Sequence, residues 1–427
     1  MNRLLEVLRK LRGSIFKDFI GFVSWKNGKR QPEVLTLLVY LEKHHPRFKE
    51  KAVDSEVICK KLKIKNLSAA SHRAIDILGR YLVYKHLENE DNQFDLLLAE
   101  VYHGMQIHSI ANLAMGRVER KLKEEKPIGK LDGFYRFLVG DFLTTSQQGG
   151  PKHEINPHMQ YAVDALDHFY WEKKLRYSCE LANRKRVINA DYHNHMIKQI
   201  VAFLDKNPSD DNIKIRIYLI IYKALMDNQP VGESYQALCA LVDENHDIFP
   251  TIELYELYEY TLNICTKMVN LGHPDYFKQI IAINQKLDKI GRWDAHVPTS
   301  SRLLNVILAA FNCSEEEEQW AEYFVEKYST KLPEEKSTVV MEMWSANTLF
   351  REGKSAAALR MVNVVNKKLG YNNPNQVMSM KILELKVLYE MEEIAELREF
   401  ADNFRRYVRK ANNCLLYTSD AADDRSC

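Results

Sequence analysis

The residues most suited to chemistry lie in one basic segment near the start of the chain, EVICKKLKIKNLSAASHRAIDILGRYL, residues 56–82. Its apolar spacing predicts a helix, a short turn and a second helix. In a helix-turn-helix motif the second helix enters the major groove of DNA, and lysines in the turn neutralise phosphates. Ser68 or Ser71 is expected to cap the second helix. The candidate nucleic-acid contacts are Lys60, Lys61, Lys63, Lys65, His72 and Arg73, with Arg80 further along.

The distribution of charge also favours a polyanion contact in this part of the chain. Residues 1–90 carry 19 Lys and Arg against 10 Asp and Glu, whereas the whole chain has a formal net charge of only +2. Against this hypothesis, Ala69, Ala70 and Ala74 occupy positions where a DNA-reading helix usually carries Arg, Asn or Gln. A basic cluster that merely solvates a helix face explains the same composition. Nucleic-acid binding is therefore the alternative hypothesis rather than the leading one.

The stretch DYHNHMIKQ is a candidate metal site. Asp191 and His195 are four residues apart and would share one helical face, whereas His193 would point elsewhere. The sequence nominates no third ligand, so solvated residues at a helix start are the favoured interpretation. Another histidine pair, His103 and His108, is five residues apart and is predicted to lie on different faces.

Familiar catalytic motifs fail on spacing. His153 and His158 are five residues apart, whereas the two histidines of a zinc protease are four apart on one helix. The stretch EGKS at 352–355 lacks the first glycine of a phosphate-binding loop, because Thr348 stands in its place. We therefore predict no catalytic residue, no metal site and no cofactor.

The composition indicates an all-helical protein. Glycine (16) and proline (12) are scarce among the 427 residues, which disfavours turn-rich β folds. Hydrophobic residues make up 46% of the chain, so a packed core can form. The sequence contains no run of 18 uncharged apolar residues and no signal peptide, and we expect a cytoplasmic protein without a membrane contact. The seven cysteines form no C-x-x-C pair and are expected to be small buried hydrophobes.

An internal repeat is the strongest signal in the second half of the chain. Long apolar helices are each followed by a short break and a second amphipathic helix. A period of about 35–45 residues is typical of an α-solenoid, in which helix pairs stack in a row. The first helices of the pairs are predicted to begin near Ser209, Pro250, Val297, Pro333 and Pro374.

One of these units resembles a tetratricopeptide hairpin. In LFREGKSAAALRMVNVV, residues 349–365, Phe350 precedes a turn at Gly353, and Ala357 and Leu359 follow on the second helix. The other units are longer and lack the small residues, so the array is tetratricopeptide-like. This resemblance implies a stack of helix pairs with a concave surface for a peptide or protein.

Two further stretches resemble a family of uncharacterised all-helical bacterial proteins of about this size. These are the succession from LTLLVYLEKHHPRF to EVICKKL and the stretch LDHFYWEKKLRYSCELANR. The resemblance covers nearly the whole chain. It implies a fold but no activity, because the matching motifs are packing motifs.

The predicted organisation has four parts. Residues 1–145 form an irregular helical region with the basic segment, residues 146–158 a turn-rich loop or linker, and residues 159–413 the solenoid. Residues 414–427 break the helical period, and LLYTSDAADD looks like translated sequencing-adapter read-through. We therefore expect a non-native tail, with the natural protein continuing beyond Asn413.

The fold class predicted from these patterns is all-α, a solenoid of tetratricopeptide-like helix pairs preceded by an irregular helical region. The leading functional hypothesis is a scaffold without catalytic activity. Its partner would be a protein or peptide held on the solenoid surface.

Overall fold

The computed structural model describes most of the chain, and every structural statement below refers to those residues. They are residues 1–27, 31–88, 91–124, 128–129, 131–146, 155–188, 192–208, 212–227, 232–369 and 374–410. The proposed non-native tail at 414–427 and most of the predicted linker at 146–158 therefore lie outside the description.

The prediction of an all-helical fold is confirmed. The described residues form 22 α-helices and one short 3-10 helix, and no strand occurs among them. They divide into two compact units. The first unit comprises the described residues of 1–124 and 142–153, and the second comprises those of 125–141 and 154–427.

The first unit is organised around α6, the long helix Leu67–Leu87, against which α1, α2, α3 and α5 pack. Its core includes the fully buried side chains of Leu8, Phe19, Leu38 and Ala74. A hairpin of α7 and α8 follows. The helices are α1 Asn2–Lys10, α2 Gly13–Asn27, α3 Pro32–Glu42, α4 Glu50–Val53, α5 Ser55–Leu62, α6 Leu67–Leu87, α7 Asp91–Gly104 and α8 His108–Glu124.

The helix α9, Asp132–Ser146, is divided between the two units, and all later helices belong to the second unit. These are α10 Pro157–Ile188, α11 Ile197–Lys206, α12 Ile213–Met226, α13 Gly232–Glu244, α14 Thr251–Asn270, α15 Tyr276–Lys289, α16 Arg292–Ala295, α17 Ser300–Ala310, α18 Glu315–Ser329, α19 Glu334–Arg351, α20 Ser355–Leu369, α21 Pro374–Glu390 and α22 Ile394–Lys410, with a 3-10 turn at His246–Ile248.

Helices of the second unit pack mainly on helices that are near them in sequence. The helix α12 packs on α13, and α14 packs on α15; α17 packs on α18, α19 on α20 and α21 on α22. Each of α15, α18 and α20 also packs on the next long helix, which is α17, α19 or α21 respectively. One continuous apolar core runs from Leu175 to Val387.

The predicted helix starts agree closely with the structure where it can be compared. Pro250 and Pro333 are the N-cap residues of α14 and α19, and Pro374 is the first residue of α21. Proline is favoured at these positions because a helix start does not use its backbone N–H. The helix expected near Val297 begins at Ser300 instead, because the side chain of Thr299 accepts a hydrogen bond from the Arg302 N–H at 3.2 Å.

The remaining predicted start, Ser209, lies outside the described residues. The helix after it, α12, begins at Ile213. Its cap is Asn212, whose side chain accepts a hydrogen bond from the Ile215 N–H at 3.2 Å.

A close approach of α9 to α10 depends on Gly140. A Cβ atom at this position would lie 2.8 Å from the Ala162 Cα and 2.9 Å from its Cβ and nitrogen. Two of these atoms are backbone and the third is an alanine Cβ, so none of them can rotate away as a flexible side chain would. This contact therefore requires the absence of a side chain.

We expect Gly140→Ala to lower the free energy of unfolding by about 1–2 kcal/mol, because overpacking exceeds the gain in helix propensity. The matched control is Gly116→Ala on α8, where a Cβ would meet nothing within 4 Å. There the same change is expected to stabilise by about 0.5–1 kcal/mol. Urea unfolding followed by circular dichroism measures both. Shifts of the same sign would contradict the close approach.

Candidate functional site

The basic segment folds as the predicted helix, turn and helix. Residues 63–66 connect α5 to α6, and Lys63 adopts the left-handed conformation at φ 53°. Asn66 is the N-cap of α6, and its side-chain oxygen accepts a hydrogen bond from the Ala69 N–H at 2.9 Å. The prediction that Ser68 or Ser71 caps this helix is therefore wrong. Ser71 is buried and donates its hydroxyl to the Leu67 carbonyl at 2.8 Å.

The helices α3, α5 and α6 pack against one another as a three-helix core. Leu37 and Leu41 of α3 and Ile58 of α5 are fully buried, and Ile64 of the turn is 3% exposed. Ile64 thus anchors the turn between the two helices, which sets the angle at which α6 leaves it.

All six residues that the sequence analysis singled out lie on the surface of this core. Two of them have intramolecular contacts: the Arg73 guanidinium lies 3.3 Å from a Glu33 carboxylate oxygen, and the Lys61 ammonium lies 5.1 Å from the Tyr40 ring centre. The other four have no ion pair within the part of the chain that the structure describes. The exposed residues are Lys60, Lys61, Lys63, Lys65, His72 and Arg73.

Two of the three alanines that argued against nucleic-acid binding lie in the core and not on the outer face of α6. Ala70 and Ala74 are 0% exposed and pack in the core of the first unit, whereas Ala69 is half-buried. The interpretation that Ala70 and Ala74 stand at reading positions is therefore wrong. The exposed face of the first turns is formed instead by Ser68, His72, Arg73, Asp76 and Arg80.

A separate pocket of about 140 Å³ lies in the second unit, where α17, α19 and α21 meet. Sequence reasoning did not find it, because its residues come from three helices about 35 to 40 positions apart. The only local signal was a polar residue one or two turns from a cation, as in Asn347 and Arg351. The pocket is lined by Leu308, Phe311, Asn312, Asn347, Phe350, Arg351, Ser379, Ile382, Leu383 and Lys386.

The polar groups of this pocket are amides, a hydroxyl and two cations. The Arg351 guanidinium pairs with Glu318 and lies 5.9 Å from the Phe311 ring centre, which orients it at the rim. Lys386 is exposed and has no ion pair among the residues that the structure describes. The amides of Asn312 and Asn347 each donate to a backbone carbonyl of their own helix turn, so Lys386 is the group in this lining that suits an anion.

The chain matches no protein-family model, no curated protein and no solved structure. The resemblance to a bacterial family therefore stays a prediction.

A buried polar cluster joins α12 to α14. The Lys214 ammonium lies 2.9 Å from a Glu253 carboxylate oxygen, and the two side chains are 2% and 1% exposed. Tyr218 donates its hydroxyl to the other Glu253 oxygen at 2.8 Å, and Lys214 also donates to the Ile128 carbonyl at 3.2 Å. Burial, reinforced by the negative charge of Glu253, raises the pKa of the Tyr218 phenol. Because these polar groups satisfy one another, the cluster acts as a structural joint.

Polar pairs also fix the direction of α10 relative to α14. Each pair joins residues 80 positions apart, and the pairs recur at steps of four and three residues along both helices. The two helices therefore run in the same direction. The pairs are Arg176 with Glu256, Glu180 with the Tyr260 hydroxyl at 3.4 Å, and Asn183 with the Asn263 amide at 3.0 Å.

Of the candidate metal site, the structure describes only the two histidines. Asp191 lies outside the described residues, and His195 lies in a turn before α11 rather than on a helix. His193, expected to point elsewhere, has its ring centre 6.0 Å from that of His195. No group of three or more metal-ligating side chains occurs within the described ranges.

The other histidine patterns have different outcomes. The prediction that His103 and His108 lie apart is wrong: they end α7 and begin α8, and the intervening turn brings their ring centres to 5.1 Å. Of the zinc-protease-like pair, His153 lies outside the described residues and His158 lies in the first turn of α10.

The EGKS stretch forms a turn between two helices, as predicted. Gly353 separates α19 from α20 and has φ +74°, a conformation that glycine adopts without steric cost. Because a phosphate-binding loop follows a strand, this context does not fit one.

The cysteines inside the described ranges are free thiols. Cys179 and Cys265 are 0% exposed, and burial raises the pKa of both thiols. Burial therefore disfavours the thiolate that nucleophilic or metal chemistry needs.

None of the described helices is both long enough and apolar enough to cross a lipid bilayer.

Proposed function

We propose that the protein is a cytoplasmic, non-catalytic helical-repeat scaffold. Its second unit is a solenoid of tetratricopeptide-like helix pairs, and it binds a peptide segment of a partner protein in the pocket between α17, α19 and α21. The observation that carries this proposal is the position of the pocket across three successive first helices of the helix pairs.

The packing order supports a repeat architecture. From α14 onwards, each helix pair packs within itself, and most pairs pack their second helix on the first helix of the next. Stacked helix pairs expose a continuous row of first helices on one face, and that face is commonly a binding surface. The prolines at the starts of α14, α19 and α21 define the same period in the sequence.

The lining of the pocket supports a peptide that carries a carboxylate next to an apolar side chain. Lys386 supplies positive charge, whereas the charge of Arg351 is already balanced by Glu318. Phe350 and Ile382 supply apolar surface beside them. A carboxylate held by charged donors contributes about 1.5–3 kcal/mol per hydrogen bond, which is enough to select acidic peptides.

A random peptide library displayed on phage tests this proposal. Selection on the full chain is expected to enrich peptides that combine an acidic residue with an apolar neighbour. Lys386→Glu should weaken binding of the enriched peptide at least about tenfold, because a carboxylate then faces a carboxylate. Lys386→Arg should retain most of the affinity.

The matched control is Lys336→Glu, which makes the same charge change in the first turn of α19. This residue lies about 16 Å along the helix from Asn347, given a rise of about 1.5 Å per residue. Binding of the peptide should be unchanged in this variant. Failure to enrich any peptide, or equal loss of binding in both charge-reversal variants, would refute the proposed site.

A further inference from the structure

We propose that the first unit binds double-stranded DNA, with the N-terminal half of α6 in the major groove and the turn at 63–66 on the phosphate backbone. This inference is independent of the proposed peptide site. It rests on the three-helix core of α3, α5 and α6, on the charge around its turn, and on the direction in which the α6 side chains point.

The connection between α5 and α6 has the form that a helix-turn-helix requires. Four residues link the helices, a length typical of this motif. The left-handed backbone conformation of Lys63 reverses the chain after α5, and the buried side chain of Ile64 fixes the turn to the core. Capping by Asn66 then starts α6 at a defined residue. The first turns of α6 are thereby held with one face packed in the core and the other exposed, which is how a recognition helix is presented.

The electrostatic character of this surface suits a polyanion. From Val57 to Ile75 the chain carries five Lys and Arg residues and no Asp or Glu. All five are exposed, so their charges are available to phosphates. Of the acidic residues just before this stretch, Asp54 has a structural role, since its carboxylate accepts hydrogen bonds from the Glu56 and Val57 N–H groups at the start of α5.

The outer face of α6 offers side chains that can contact base edges. With Ala70 and Ala74 in the core, Ser68, His72 and Arg73 face outward on the first two turns. The 3.3 Å pair between Arg73 and Glu33 is solvent-exposed, with side chains 46% and 40% accessible. An exposed pair of this kind contributes about 0–1 kcal/mol, so Arg73 can exchange it for a base or a phosphate.

The geometry favours DNA over RNA. The major groove of B-form DNA is about 12 Å wide and admits an α-helix, whereas that of A-form RNA is too narrow for side chains to read. The 21-residue α6 is about 31 Å long at a rise of about 1.5 Å per residue. Its N-terminal half buries one face, at Leu67, Ala70 and Ala74, and exposes the opposite face. A helix that presents an exposed face of this kind fits the major groove of duplex DNA.

Fluorescence anisotropy of a labelled 30-base-pair DNA duplex of mixed sequence, titrated with the full chain from 20 to 200 mM KCl, tests this inference. Binding is expected with a dissociation constant on the order of 10⁻⁵ M or tighter near physiological salt. The variant Lys60→Glu with Lys65→Glu should weaken binding at least about tenfold and reduce the salt slope by about two. Both lysines are exposed.

The control with the same charge change is Lys198→Glu with Lys206→Glu on α11 of the second unit, which should bind as the wild type does. Circular dichroism confirms that all variants are folded. No binding at 20 mM KCl would overturn the inference, as would equal effects of the two double variants. Tighter binding to a duplex RNA of the same sequence would overturn the major-groove assignment and with it the proposal.

Discussion

Replacing Lys214 with methionine is expected to lower the free energy of unfolding of the second unit by about 3–5 kcal/mol. The change removes the positive partner of Glu253, whose side chain is 1% exposed. The carboxylate cannot reach water in the folded state, so its desolvation is no longer offset. Tyr218 of α12 also donates its hydroxyl hydrogen bond to Glu253, so a displaced Glu253 would weaken this second contact of α12. Urea unfolding and amide hydrogen exchange in α10, α12 and α14 measure the effect.

The control for this prediction is Lys223→Met on the same helix. Lys223 pairs with Asp205, but both side chains are more than 40% exposed. Loss of such a pair costs about 0–1 kcal/mol. The double variant Lys214→Met with Glu253→Gln should recover part of the stability, because no unpaired charge is then buried. Equal effects of Lys214→Met and Lys223→Met would show that the buried pair is not a structural joint.

Truncating Phe324 to alanine is expected to lower stability by about 3–5 kcal/mol, because a large cavity would replace a fully buried ring. Phe324 is 0% exposed in α18. Its ring centre lies 4.9 Å from those of Trp320 and Tyr328 and 6.3 Å from that of Trp293. Losing the ring therefore removes contacts with three aromatic neighbours at once.

The neighbouring Tyr323 provides the control. It is 55% exposed on the same helix, so Tyr323→Ala should change stability by less than about 1 kcal/mol. Hydrogen exchange adds a test of the repeat architecture. In a stack held by nearest-neighbour contacts, Phe324→Ala should increase exchange most in α15 to α19 and leave α12 little changed. A uniform increase throughout the second unit would argue against such a stack.

Local signals predicted the helices of the second unit well. Pro250, Pro333 and Pro374 mark helix starts in the sequence and in the structure, because proline is compatible with the first turn of a helix and not with its interior. Local signals gave the wrong N-cap for α6, where more than one nearby side chain is able to cap the helix. Asn66 caps α6 rather than Ser68, since the helix begins at Leu67, two residues earlier than a Ser68 cap would require.

The inward face of α6 can be read from the sequence. Ala70, Ala74, Ile77, Leu78 and Tyr81 recur at helical spacing and are all buried. This spacing assigns the alanines to the core without a structure. The proximity of His103 and His108 could not be found in the same way, because the turn between α7 and α8 ends the helical periodicity on which face assignments depend.

Helix content and helix boundaries follow from the sequence, because periodicity, prolines and caps act over a few residues. Which faces meet depends on contacts between distant residues. Lys214 and Glu253 are 39 positions apart, and no local pattern pairs them. The pocket at α17, α19 and α21 likewise exists only where three helices pack together. Tertiary packing therefore decides both the buried charge pair and the candidate peptide site, since burial and proximity are properties of the folded chain.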